Sequence, residues 1–229
     1  MAKQAASIAI YLEVGQQKTF AGALGWPGWC RSGHDEAAAL AALVAYAPRY
    51  AKLLARTKLA FTPPDDPDAF TIAERLAGNG TTDFGAPGHA PKQDREPFDE
   101  AEHARSTTIL AAIWRAFDRA IDAAAGRELR KGPRGGGRDT NTIVRHVLGS
   151  DAGYLRSLAR HFSEQDEAPI EDELQRIRTA IRAALAAGAR GEIPEHGPRG
   201  GKLWTPRYYV RRTAWHTLDH AWEIEDRIL

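Results

Sequence analysis

His216-Thr217-Leu218-Asp219-His220 places two imidazoles four residues apart. On a helix, residues i and i+4 share a face with their side chains adjacent, so such a pair can chelate one divalent ion. Zinc and similar metals take neutral imidazole nitrogen at about 2.0–2.1 Å, and catalytic sites commonly supply three protein ligands with one position open to water or substrate. His146 is the candidate third ligand, because it is flanked by Ile143, Val147 and Leu148. A charged histidine is costly to bury in such company, whereas a neutral, metal-bound one is not. With eight histidines in 229 residues, a pair four apart arises by chance on the order of one time in four, so the spacing gains meaning only from the third ligand.

The acidic residues near these positions have two readings. Asp151, Asp219 and Glu223 are either acceptors that orient metal-bound imidazoles, with Glu223 also a candidate catalytic acid/base, or charges on solvated helix faces. Tyr154, Tyr208 and Tyr209 can donate hydrogen bonds to an anionic substrate, and Arg145, Arg211 and Arg212 can bind a carboxylate, though each such residue is more often a packing or surface residue. Trp215 and Trp222, one heptad apart, read as core. Cys30 is the single cysteine and reads as structural, since no helix start follows it directly to lower its pKa. The run Gly132-Pro133-Arg134-Gly135-Gly136-Gly137-Arg138 lacks the Gly-Lys-Ser/Thr ending of a phosphate loop and reads as a flexible connection.

The elements that must position these residues are marked by punctuation. Residues 7 to 14 and 18 to 24 are β-prone runs separated by Gly15-Gln16-Gln17, a hairpin pattern. Gly25 to Cys30 is turn-rich, Asp35 caps an Ala/Leu helix over about 35 to 57, and 69 to 76 alternates as a third strand. The first module, 1–77, is therefore expected to be β-β-α-β. The Gly, Pro, Asp and Thr-rich stretch 78–97 reads as a loop or linker. Beyond it, helical segments are expected over about 98–126, 139–162, 170–188 and 205–228, a four-helix bundle spanning 98–229. The chain is thus expected to be α+β.

Bulk properties narrow the function. Hydrophobic residues at 43% and charged residues at 27% suit a folded globular chain. The net charge of +1 shows no basic excess for a phosphate backbone, so no nucleic-acid partner is expected. A lone cysteine fits a reducing compartment, and neither an export signal nor a membrane anchor is evident, so a cytoplasmic location without a membrane partner is expected.

Residues 98 to 229 resemble the DinB superfamily of metal-binding four-helix bundles. The context His146-Val147-Leu148-Gly149-Ser150-Asp151 is similar to that family's second-helix histidine, and His216 and His220 fill its His-x-x-x-His pair on the last helix. Arg211 to Glu223 carries the aromatic and acidic company usual around that pair. The resemblance implies a divalent metal ion, zinc or nickel ahead of iron and manganese, held by His146, His216 and His220. Many members are S-transferases or isomerases using a low-molecular-weight thiol, so it also implies a small-molecule substrate and thiol chemistry. Residues 8 to 45, with Phe20-Ala21-Gly22-Ala23-Leu24 and Gly28 to Ala37, resemble the HicB-type β-β-α module. That module's DNA-binding segment is not evident, and its sheet edges lead us to expect a homodimer. The competing expectation is a non-enzymatic regulatory or interaction protein with a structural metal or none.

Overall fold

The computed structural model describes residues 7–131, 137–165 and 167–229; Gly132 to Gly136 of the glycine-rich run lie outside the described residues. The chain is α+β and divides into two compact units, Met1–Glu96 and Pro97–Leu229.

In the first unit, strands β1 (Ile8–Val14), β2 (Thr19–Ala23), β3 (Cys30–Gly33) and β4 (Phe70–Ala77) form one sheet in the order β3-β2-β1-β4. β1 and β2 are the expected antiparallel hairpin, with Leu12 opposite Ala21, and β4 pairs parallel to β1 after helix α1 (Glu36–Leu54). Asp35 caps α1, accepting from the Ala38 N–H at 2.7 Å. Gly22 sits opposite Tyr11, and a Cβ there would meet the tyrosine ring at 2.4 Å, so the strand needs glycine to let the ring lie across it. The unit's core is aromatic. Trp29 is fully buried, donates its indole N–H to the Leu43 carbonyl at 2.9 Å, and packs with Tyr50, Phe61 and Phe70. Cys30, the first residue of β3, is buried, as a structural cysteine would be.

Two features differ from the sequence reading. The order is β-β-β-α-β, because Cys30-Arg31-Ser32-Gly33 is a strand paired with β2. Four residues with two polar side chains show no alternation, and pairing with β2 alone makes them a strand. The stretch 78–97 is also more than a linker: it carries the short helix α2 (Gly80–Phe84) and a 3-10 turn at Lys92–Arg95, and all but its last residue belongs to the first unit. Polar contacts distant in sequence fold it back. The buried Glu13 carboxylate accepts from the Thr82 hydroxyl at 2.5 Å, the Gly88 N–H at 2.8 Å and the His89 N–H at 3.0 Å. The Asp83 carboxylate accepts from the N–H groups of Gln16, Gln17 and Lys18 in the hairpin turn.

The second unit contains helices α3 (Glu100–Ala124), α4 (Thr140–Arg156), α5 (Ile170–Ala189) and α6 (Pro206–Arg227), matching the four expected segments. Asp99, Asp139 and Thr205 cap α3, α4 and α6 by accepting from backbone N–H groups three residues on, and Pro206 occupies the first turn of α6. Each helix turns an apolar stripe inward, and α6 packs most extensively on α3 while also meeting α4 and α5. Arg178 of α5 forks onto Asp118 of α3 at 2.6 and 3.0 Å. Helix α4 stops earlier than the sequence suggests. Its end is a Schellman motif, with Arg160 N–H bonded to the Leu155 carbonyl, Ala159 N–H to the Arg156 carbonyl, and Ala159 in the left-handed region at φ 54°. That position ordinarily carries glycine, so alanine gives no stop signal; the turn lets the chain bury Leu158. Among the described residues, no helix is long and apolar enough to cross a membrane.

Candidate metal centre

The last helix faces α4, and its register decides what meets there. α4 and α6 pack against each other, and Val147 and Leu148 on α4 and Ala214, Leu218 and Ala221 on α6 are buried. The Trp204 N–H donates to the Ser157 carbonyl at 2.9 Å, tying the start of α6 to the end of α4. With the helices so fixed, His146, His216 and His220 converge, each offering a ligand atom within 4.8 Å of the others. Their ring centroids stand 4.7 to 5.0 Å apart and the rings are steeply inclined to one another, so ring edges rather than faces point at the common centre.

The His146 and His216 Nε2 atoms are 3.1 Å apart. Two imidazole lone pairs at that separation repel unless a proton or a cation lies between them. A tetrahedral ion with bonds of 2.0–2.1 Å sets its donors about 3.3 Å apart, close to this spacing. The donor set therefore fits a divalent ion that takes imidazole. His216 is 7% exposed, His146 is half-buried, and the His220 side chain is 12% exposed.

Burial and neighbouring charge favour the neutral form of His146 and His216. Burial pushes the His216 pKa well below its ordinary value, with added repulsion from His220, His146, Arg212 and Arg138. Burial likewise lowers His146, helped by His220 and Arg138. Neutral imidazole is the form that binds metal.

Glu223 stands behind the cluster. Its Oε2 lies 2.7 Å from His220 Nδ1, and its Oε1 accepts from Arg227 at 2.5 Å. The His220 and Arg227 partners hold the Glu223 carboxyl below the usual range, so it is an ionised acceptor. Nδ1 of His220 then carries the proton and Nε2 is left with its lone pair for an ion. Arg227 is itself held on three sides, donating to the carbonyls of Arg130 at 2.7 Å and Arg138 at 2.9 Å as well as to Glu223. Sequence reasoning missed Arg227, although Glu223 to Arg227 is an i,i+4 acid-base pair and thus a usable signal.

The other candidates are placed elsewhere. Asp151 is buried and makes no hydrogen bond to a histidine, and its Oδ1 has no partner. Trp215 and Trp222 are buried, as core residues should be. Tyr209 is fully buried, whereas Tyr154 is half-buried with its ring centroid 5.8 Å from that of His216. Arg212 lies over the rings of Tyr154 and Trp215. His103 and His161 stay outside the cluster, beside Phe98 and Ser163 respectively. No family model matches the chain, and comparison with curated proteins and with solved structures gives no match.

Proposed function

We propose that the protein is a divalent-metal-dependent enzyme of DinB type, acting on a small molecule by thiol-dependent S-transfer or a related hydrolysis or isomerisation. The observation that carries this reading is the convergence of three imidazoles within 4.8 Å, one of them oriented by a carboxylate. His146, His216 and His220 would hold the ion, zinc or nickel. When bound, it would supply a Lewis acid or stabilise a thiolate. The chain's own residues do the rest. Glu223 keeps the proton of His220 on Nδ1, and Arg227 keeps Glu223 ionised and in place. Their fixed orientation makes Glu223 a positioning residue in this reading, in place of the acid/base role open to it in sequence. The half-buried edge at His146 and Tyr154 is the side from which a substrate would approach.

The test uses full-length protein purified without a histidine tag and loaded with cobalt(II). A visible spectrum of tetrahedral or five-coordinate type, with a sulfur charge-transfer band on adding a low-molecular-weight thiol, supports an open site that accepts thiolate. A loaded site whose spectrum ignores thiols and other small ligands supports the alternative of an interaction protein with a closed structural metal.

A further inference from the structure

A cavity of about 170 Å³ opens where helices α3, α4 and α5 meet. Val144 lines it, and His146 stands two residues on, about 200° around α4, so the cavity and the histidine cluster lie on opposite sides of that helix. The volume is comparable to that of apolar cavities of about 150 Å³ that take up benzene, so a body of about six carbons has room. Ile121, Val144, Ile170 and Leu174 give the cavity an apolar wall, with Val144 and Leu174 buried. The charge around that wall is unbalanced. Among the described residues lining it, Arg178 is the one cation, and both of its terminal nitrogens already fork onto Asp118 at 2.6 and 3.0 Å. Asp122, one turn beyond Asp118 on α3, and Glu171, in the first turn of α5, add two more carboxylates. Neither carboxylate has a hydrogen bond or an ion pair among the described residues. Asn141 and Gln175 complete the mouth without charge. The positive ends of α4 and α5 are also near, but the chain answers them itself: Asp139 caps α4, and Glu171, Asp172 and Glu173 fill the first turn of α5.

We propose that this cavity binds a small primary amine, with an apolar body the size of one ring against Ile121, Val144, Ile170 and Leu174 and its ammonium beside Asp122 and Glu171. An anion brought there would face two carboxylates and find the guanidinium taken, whereas an ammonium meets both carboxylates. Burial of the ring supplies most of the affinity, and the carboxylates supply the preference for charge. Both carboxylates are exposed, so each contributes a factor of roughly two to five, as exposed ion pairs do, rather than the larger factor of a buried one. The site stands independently of the metal reading, since no described histidine lines it.

The experiment titrates the full-length protein, labelled at its Ile, Leu and Val methyl groups, with benzylamine, benzyl alcohol and benzoate at neutral pH, and reads binding by NMR. These probes share a ring and differ in charge. The expected result is saturable shifts at the methyl groups of Ile121, Val144, Ile170 and Leu174, with benzylammonium at least about fivefold tighter than benzyl alcohol and benzoate the weakest. Asp122→Asn combined with Glu171→Gln changes two exposed side chains and should leave the fold and the alcohol's affinity as they are. It should bring benzylammonium down to the alcohol's affinity. Salt near 1 M, where charges are screened within about 3 Å, should do the same to the wild type. Benzoate binding as tightly as benzylammonium, a preference that survives in the double variant, shifts confined to other methyl groups, or no saturable shift with any probe would overturn the proposal.

Discussion

His146 Nε2 on α4 and His216 Nε2 on α6 face each other across 3.1 Å, seventy residues apart in sequence. Without an ion, one of these nitrogens has to donate to the other. With an ion, both lone pairs bind it, and His220 supplies the third. The apolar packing of α4 against α6 brings the pair together, so the geometry is built before any ligand arrives. Stability should therefore depend less on the ion than in a small zinc finger, whose fold is made by its metal.

Removing the support behind His220 should weaken the centre without unfolding it. Glu223→Gln keeps an acceptor for Nδ1–H but loses the charge, and Arg227→Met releases Glu223. Each should lower metal affinity by roughly 10-fold to 100-fold, the usual effect of a partner behind a ligand. Competition against a chelator of known affinity measures this, and an unchanged affinity in Glu223→Ala would show that the contact positions nothing.

Proton competition should be weak near neutrality. The His146 and His216 pKa values are depressed by burial and neighbouring charge, so these ligands remain neutral below the ordinary value of about 6.5. Metal should stay bound through pH 6 and leave in more acidic solution. In the metal-free protein the same sign applies: the unfolded chain takes up these protons first, so stability is full above pH about 6.5 and declines as pH falls below it. Equilibrium dialysis across the acid range reads the first effect and urea titrations the second; metal loss centred at or above pH about 6.5 would contradict the first, and a metal-free stability that does not fall below pH about 6.5 the second.

Asp151 works in the opposite direction. Burial pushes its carboxyl up to about 7, against an opposing pull from Arg178. A carboxyl with a folded value above its unfolded one costs nothing below the unfolded value, costs increasingly as pH rises between the two, and costs its full amount above the folded value. At 1.36 kcal/mol per unit over about three units, the difference is on the order of 4 kcal/mol. Asp151→Asn should therefore gain stability relative to wild type as pH rises from 4 to 8. Urea unfolding at pH 4, 6 and 8 tests it, and a difference constant with pH would count against the buried, unpaired carboxyl.

Glu13 predicts the reverse kind of change in the first unit. Its buried carboxylate accepts from Thr82, Gly88 and His89, so Glu13→Ala strands three donors and should cost at least about 3 kcal/mol. Loss of that size should appear in thermal unfolding of the full chain, with a smaller loss for Glu13→Gln. A shift within error for the alanine variant would mean that stretch 78–97 is held by other contacts.

What sequence made legible follows from range. His216 and His220 are four apart on one helix, and His146 lies among apolar residues, so local spacing was enough to nominate all three. The four helices of the second unit were readable from their proline and glycine punctuation. What escaped depended on contacts distant in sequence. Strand β3 exists because β2 lies beside it, and residues 78–97 fold onto the sheet through the Thr82–Glu13 and Gln17–Asp83 contacts, each joining residues more than sixty apart. Asp151 was readable as a histidine partner only while its direction was unknown; five residues beyond His146, it points about 140° around the helix. Ala159 ends α4 in a conformation its type does not advertise.

The most direct measurement is the metal content, by elemental analysis, of untagged wild-type protein and of five single alanine variants at His146, His216, His220, His103 and His161. The account predicts about one equivalent of a divalent ion in the wild type and in His103→Ala and His161→Ala, with a sharp fall in the other three, because two imidazoles lose much of the chelation that three provide. Retention of a full equivalent by His216→Ala and His220→Ala, or a metal-free wild type after growth and purification in the presence of zinc and nickel, would contradict it.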